Sequence, residues 1–278
     1  MTWHLVADTA CDLYELEGGK DQMDFTTIPF SIRIGGKEYI DDERMPIAEM
    51  LEANETHAEM AQTACPPPET WREKFAAPGP VVAFTISSAL SGSYNSACAG
   101  RNMLLEDEPD KEIAVIDTKS TGPEEAMLIW RARDLILEGR AFKEIEKALN
   151  ETAERIHTVF ALSSYHNLIK SGRVSRLIGF IAGHLGFWGI GVGDEKGEIA
   201  IRGKARGSKS MIRFLVDEIR KVGLAGKQIV ISHCQNEKDA LSLKAALEAA
   251  FAGIDVLVQP ARGLDSFYAE RNGLIVGY

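Results

Sequence analysis

Between positions 87 and 93 the chain carries four serines and a glycine in seven residues. Hydroxyls at that density can grip an anion, because they donate hydrogen bonds and their small size lets a ligand reach main-chain N–H groups. The same residues are open to nucleophilic catalysis, with Ser87, Ser88 or Ser91 attacking an acyl carbon and a histidine as base. His233, which follows an apolar run, is the histidine best placed for that role, and a strand-end histidine bonded to backbone is its plainer reading. The Gly-x-Ser-x-Gly elbow that exposes a nucleophilic serine is absent. Asp41, Asp42 and Glu43 are consecutive acids with no histidine or spaced partner, which predicts a solvated turn and no metal site. Basic residues gather at Arg202, Lys204, Arg206, Lys209 and Arg213. The Gly-Lys pair there is misplaced for a phosphate loop, so the stretch reads as a solvated helix start or as a docking surface for an acidic partner. Gly189, Gly191 and Gly193 lack the spacing and following helix of a dinucleotide-binding loop.

The elements around the serines decide between these chemistries. Residues 81–86 (VVAFTI) are a short apolar run suited to a buried parallel strand, and from Tyr94 onward Ala97, Gly100 and Leu104 recur at helical spacing. Strand, hydroxyl-rich turn and helix start form an anion-binding layout. The unpaired N–H groups and the positive dipole end favour a carboxylate or phosphate beside Ser91, Gly92 and Ser93. Ser91 as a simple helix cap is the competing reading. Residues 3–7 predict a first strand ending in Asp8 and Thr9, and residues 113–116 another ending in Asp117, Thr118 and Ser120. Ligands of open α/β sheets bind beyond such strand ends.

Gly35 and Gly36 predict a hairpin between residues 25–34 and 37–41. Short helices are expected at 47–52 and 69–75, with Thr63 on an extended segment before three prolines. Pro123 opens a helix closed by Gly139, and 141–156 is a second amphipathic one. Strands are expected at 158–162, 189–193, 198–202, 228–232, 255–259 and 274–278, with helices at 176–188, 208–222 and 237–252. The fold class is α/β: an N-terminal domain, 1–160, with a doubly wound, mostly parallel sheet, and a smaller C-terminal α/β domain, 161–278, with a mixed sheet.

A net charge of -10 and a pI near 5.2 argue against nucleic acid as a partner. No integral membrane segment and no signal peptide are expected. The four cysteines are far apart, which predicts neither a disulfide framework nor a zinc site and suits a cytoplasmic protein.

Five segments taken in order, ADTACDL (7–13), TACP (63–66), ISSALSGSYNSA (86–97), IDTKST (116–121) and LIKSGRVS (168–175), resemble the DegV family of bacterial fatty-acid-binding proteins. The resemblance runs along nearly the whole chain, and Ser-Ser-x-Leu-Ser-Gly-Ser-Tyr is its most specific piece. It implies a two-domain α/β protein that holds a long-chain fatty acid between its domains. The implied protein has no catalytic residues and no cofactor; it presents the acyl carboxylate to a partner fatty-acid kinase. By the same resemblance Thr63 and Ser91 are head-group hydroxyls, with the Gly92 and Ser93 backbone beside them, and Lys170, Gly172 and Arg173 form the family's basic turn. Phe180, Ile181, Leu185, Phe187 and Trp188 are candidates to line the tunnel or to pack as ordinary core. The family's closing His-Thr-Gly-Pro-Gly loop is missing, no histidine follows His233, and Ser266, Phe267 and Tyr268 stand near where it would lie. Trp188 and Gly189 replace the family's Lys-Pro pair, and Cys65 stands within the Thr63 segment. Arg262, Tyr268 and Arg271 are the candidates to replace the lost histidine, with Tyr268 carried as a ligand-binding residue.

Overall fold

The computed structural model describes residues 2–57, 61–174 and 186–278. The chain begins with β1 (Trp3–Asp8), a 3-10 turn (Thr9–Cys11), β2 (Met23–Ile28), β3 (Ser31–Ile34), β4 (Lys37–Ile40), α1 (Ile47–Thr56) and β5 (Gln62–Ala64). It continues through α2 (Pro68–Phe75), β6 (Val81–Thr85), α3 (Ser93–Asp107), β7 (Ile113–Asp117), α4 (Pro123–Leu137) and α5 (Phe142–Ala153). Then come β8 (Thr158–Leu162), α6 (His166–Lys170), β9 (Phe187–Gly193), β10 (Ile199–Arg206), α7 (Ser208–Val222) and β11 (Gln228–His233). The last described elements are α8 (Glu237–Ala250), β12 (Asp255–Pro260), α9 (Gly263–Ala269) and β13 (Leu274–Gly277).

The first sheet is parallel throughout, in the order β2-β1-β6-β7. Strands β1, β6 and β7 are buried on both faces because helices cover both. Leu5, Ala7, Val82, Phe84 and Ile116 pack with α4 and α5, while Val6, Val81, Ala83 and Val115 pack with α2 and α3. Gly100 sets how closely α3 approaches α2: a Cβ there would lie 2.8 Å from the Trp71 Cβ and 2.9 Å from the Arg72 N. The second sheet is mixed, in the order β10-β9-β8-β13-β11-β12, with β11 and β12 parallel and the other pairings antiparallel. One face is buried under α7 and α8; the other presents Phe160, Leu162 and Ile275 to a cluster built with α1, α9 and the three-stranded sheet β4-β3-β5.

Sheet membership changes between β7 and β8. The expected division after residue 160 falls inside β8.

The predicted 25–34 strand is two strands. It divides at Pro29, which has no N–H for a ladder: β2 joins β1 in parallel, and β3 turns through Gly35 and Gly36 into β4. Of the apolar helix expected at 176–188, residues 176–185 lie outside the described residues. Phe187 and Trp188 are strand, paired with Arg206 and Ala205 of β10. Asp41 is fully buried, which corrects the solvated turn: its carboxylate accepts the N–H groups of Gly263 at 2.9 Å and Leu264 at 3.0 Å, capping α9. Helix α9 itself was not anticipated, since seven residues between two strands are too few to show a helical period.

Candidate functional site

A cavity of about 810 Å³ of atom-free space, part of it open to solvent, lies between the two large sheets. Its middle is apolar, walled by Phe30, Ile86, Phe160, Leu162, Leu264 and Ile275. Four of the expected site residues, Thr63, Ser91, Arg173 and Tyr268, also stand in the wall. Strand β5 carries Thr63, held opposite Ile32 of β3, and α9 carries Tyr268. Across them the Thr63 hydroxyl lies 2.8 Å from the Tyr268 hydroxyl. The Arg173 guanidinium stacks 5.4 Å from the centre of the Tyr268 ring and donates to the carbonyls of Leu90 at 3.1 Å and Ser171 at 3.3 Å. No carboxylate among the described residues pairs with Arg173, so this corner carries a positive charge and three hydroxyls.

Gly92 and Ser93 stand behind Ser91 and outside the cavity wall. Gly92, and not Ser91, is the cap residue of α3, and the N–H of Ser93 donates to the Ser91 hydroxyl at 3.2 Å. The Ser93 hydroxyl points inward, fully buried, and donates to Asp8 at 2.6 Å. Asp8 also accepts the N–H groups of Ile86 at 3.1 Å and Ala10 at 3.2 Å, and its burial pushes the carboxyl up to about 7. The protein thus places its own acid beneath the turn. Lys170 and Gly172 flank Arg173 without entering the wall. Phe187 and Trp188 do not line this cavity: Trp188 packs in the core beneath α7, and Phe187 lies under Arg206 at 5.6 Å. Phe180, Ile181 and Leu185 lie outside the described residues.

Of the candidates to replace the missing histidine, the geometry separates one. Arg262 is 1% exposed; its guanidinium donates to the carbonyls of Leu13 and Asp41, and its N–H donates to Asp12 at 2.6 Å. Arg271 is tied at the surface to Glu55 and Gln235. Tyr268 alone of the three reaches the cavity.

The opposite end holds polar residues that the sequence reading did not assign. Ser120 and Thr158 line the wall with their hydroxyls 2.6 Å apart, and Thr121 donates to Asp265 at 2.6 Å. The rule that ligands bind beyond the ends of parallel strands already pointed to Thr118 and Ser120 after β7, without making either a ligand-binding residue. Asp265 and Asp12 both direct an oxygen at Gly122, and burial raises both carboxyls, Asp12 to about 6 and Asp265 well above the usual range.

Among the described residues nothing assembles a serine nucleophile. Ser87 donates to the Gly197 carbonyl at 2.8 Å, Ser88 is bound to Asp117, and no described wall residue is a histidine. His233 accepts the N–H of Asn236 at 3.3 Å, the local backbone bond of the plainer reading. Arg202, Lys204, Arg206, Lys209 and Arg213 are exposed on β10 and α7. Among the described residues there is no cluster fit for a metal ion and no helix long and apolar enough to cross a membrane.

Comparison with known proteins places these features in context. The model of the DegV family matches residues 2–264. A DegV domain-containing protein of Streptococcus pneumoniae is 37% identical over 278 residues, covering 100% of this chain and 99% of its own length. Among solved structures, the Streptococcus pneumoniae fatty acid kinase (Fak) B3 protein loaded with linoleic acid superposes with a TM-score of 0.96 at 37% identity, over 100% of this chain and 99% of that one. A DegV family protein of Eubacterium eligens loaded with heptadecanoic acid gives a TM-score of 0.95 at 36% identity, over 99% of each chain.

Proposed function

The chain belongs to the DegV family, and from that premise we propose that it binds a long-chain fatty acid in the cavity between its sheets and presents the carboxylate to a fatty-acid kinase. The carrying observation is the cavity itself: an apolar channel with one corner of three hydroxyls and an arginine that has no carboxylate partner among the described residues. A carboxylate leaving water needs charge-assisted or multiple hydrogen bonds, and Thr63, Ser91, Tyr268 and Arg173 can supply them. Each tail CH₂ buried adds about 0.8 kcal/mol, so affinity accrues from length without catalytic groups. Retention in structural neighbours loaded with heptadecanoic and linoleic acid supports the same ligand class. The protein acts as a carrier, and phosphoryl transfer belongs to the kinase. We place it in the cytoplasm, where its four free cysteines stay reduced.

The test is mass spectrometry of the purified protein, native and then after solvent extraction. A stoichiometric fatty acid is expected. A protein that is purified empty and also fails to bind added octadecanoic acid refutes the proposal.

A further inference from the structure

A plain hydrocarbon tail leaves the far end of the cavity unused. Along β8, Thr158, Phe160 and Leu162 face the cavity on alternate residues. Four residue steps of roughly 3.3 Å put Thr158 about 13 Å from Leu162. Leu162 packs with Leu168, whose carbonyl accepts the N–H of Arg173 at 3.0 Å, so it marks the head-group end. Thr158 marks the other end. There, beside Ile199, the chain meets two buried hydroxyls, Thr158 and Ser120, hydrogen-bonded to each other.

Glu124 in the first turn of α4 stands behind this pair. It is 4% exposed, and its Oε1 has no hydrogen-bond partner. Burial pushes its carboxyl up to about 7, against hydrogen bonds from Ser120 and Thr158 that draw it down. Glu124 walls a second space of about 1220 Å³, partly open to solvent, which shares Lys119, Thr158 and Gly193 with the first cavity. A buried carboxyl oxygen without a donor is costly, and a saturated tail brings no donor to it. A hydroxyl on the chain brings one, and it can accept from Ser120 or Thr158 at the same time.

We propose that Ser120, Thr158 and Glu124 form a second polar subsite that takes a hydroxyl on the distal half of the acyl chain, so that hydroxylated long-chain fatty acids are a preferred ligand class. The inference rests on the fatty-acid reading above. Its test is to measure the affinity of the full chain for octadecanoic acid and for monohydroxy-octadecanoic acids with the hydroxyl moved stepwise from the carboxyl end. One or more distal isomers are expected to bind roughly tenfold tighter than the unsubstituted acid, the worth of one hydrogen bond, while hydroxyls near the carboxylate bring no gain. In Thr158→Val the ratio of hydroxylated to unsubstituted affinity falls toward one. If octadecanoic acid binds and no isomer binds more tightly, the subsite is refuted and the fatty-acid reading stands. If no acid binds at all, the parent reading fails and the subsite with it. The wild-type series decides the matter even where a variant folds poorly.

Discussion

Replacing Arg262 with methionine removes a buried cation from a nest of acids and is expected to destabilise the protein severely. Arg262 and Asp41 are 1% and 0% exposed, and Asp12 accepts the Arg262 N–H while facing Asp265 across Gly122. Methionine preserves most of the volume and removes the charge, which leaves Asp41 with neutral donors alone, the two α9 N–H groups and the Thr9 hydroxyl. Breaking a buried pair by deleting one partner costs about 3 to 5 kcal/mol. At roughly 2 to 4 °C per kcal/mol for a chain of this size class, the melting midpoint falls by about 6 to 20 °C. The assay is urea unfolding followed by tryptophan fluorescence, for which the fully buried Trp71 reports on the core. The pH dependence carries a second signature. Burial raises Asp12 to about 6 from an unfolded value near 3.8, and the Arg262 charge works against that rise. A carboxyl raised in the folded state contributes fully below its unfolded pKa, and that stability is lost as pH climbs through the folded value. Without the guanidinium the folded pKa of Asp12 and of Asp41 rises further, so the deficit of the variant is larger at pH 8 than at pH 5. The companion Asp41→Asn/Arg262→Met variant should lose less than the sum of the two single changes. A loss under about 1 kcal/mol that is equal at both pH values would refute the account of Arg262 as the charge that holds this nest together.

At the head-group corner, Ser91→Ala, Thr63→Ala and Tyr268→Phe are each expected to weaken fatty-acid binding by about 1.5 to 3 kcal/mol, the worth of one hydrogen bond to a charged acceptor. Unchanged dissociation constants in all three by calorimetric titration would move the carboxylate elsewhere. Gly122→Ala should lower the unfolding free energy by more than about 1 kcal/mol. Gly122 has φ +58°, and a Cβ there would meet the Asp265 and Asp12 oxygens at 2.5 and 2.8 Å; a wild-type midpoint in urea contradicts that crowding. Glu124, raised from 4.5 to about 7, withdraws stability as pH rises through neutrality. Glu124→Gln should flatten the thermal midpoint between pH 5 and 8, and an unaltered slope means that another group titrates there.

What the sequence disclosed, and what it withheld, divides by range of interaction. The parallel strands and the helices α2, α3, α4, α5, α7 and α8 follow local patterns of apolar period, proline starts and glycine stops, and residues 87–93 were legible as a hydroxyl-rich turn. Local pattern could not show which hydroxyls face outward. Ser93 turns inward because Asp8, 85 positions away, needs a donor, while Ser91, two residues earlier, is left for the cavity. The exposed reading of Asp41 failed for the same reason, since its partners lie 222 and 223 positions later.

That long-range bond also fixes the corner where Thr63, Tyr268 and Arg173 meet. Helix α9 is only seven residues long, too short to be stable on its own. Asp41 caps its first N–H groups, Arg262 anchors its start to Leu13 and the Asp41 carbonyl, and Phe267 is buried one position from Tyr268. These contacts fix Tyr268 where its hydroxyl meets Thr63, 205 positions earlier, and where its ring supports Arg173. Arg262 therefore holds the start of α9 and does not itself line the cavity. A tyrosine whose ring is stacked and whose hydroxyl is already paired loses little side-chain freedom on meeting a carboxylate. The consequence is directional: loosening α9 through Asp41→Asn should weaken fatty-acid binding although Asp41 touches no part of the cavity. Asp41→Asn with unaltered affinity would show that the helix holds Tyr268 without its cap.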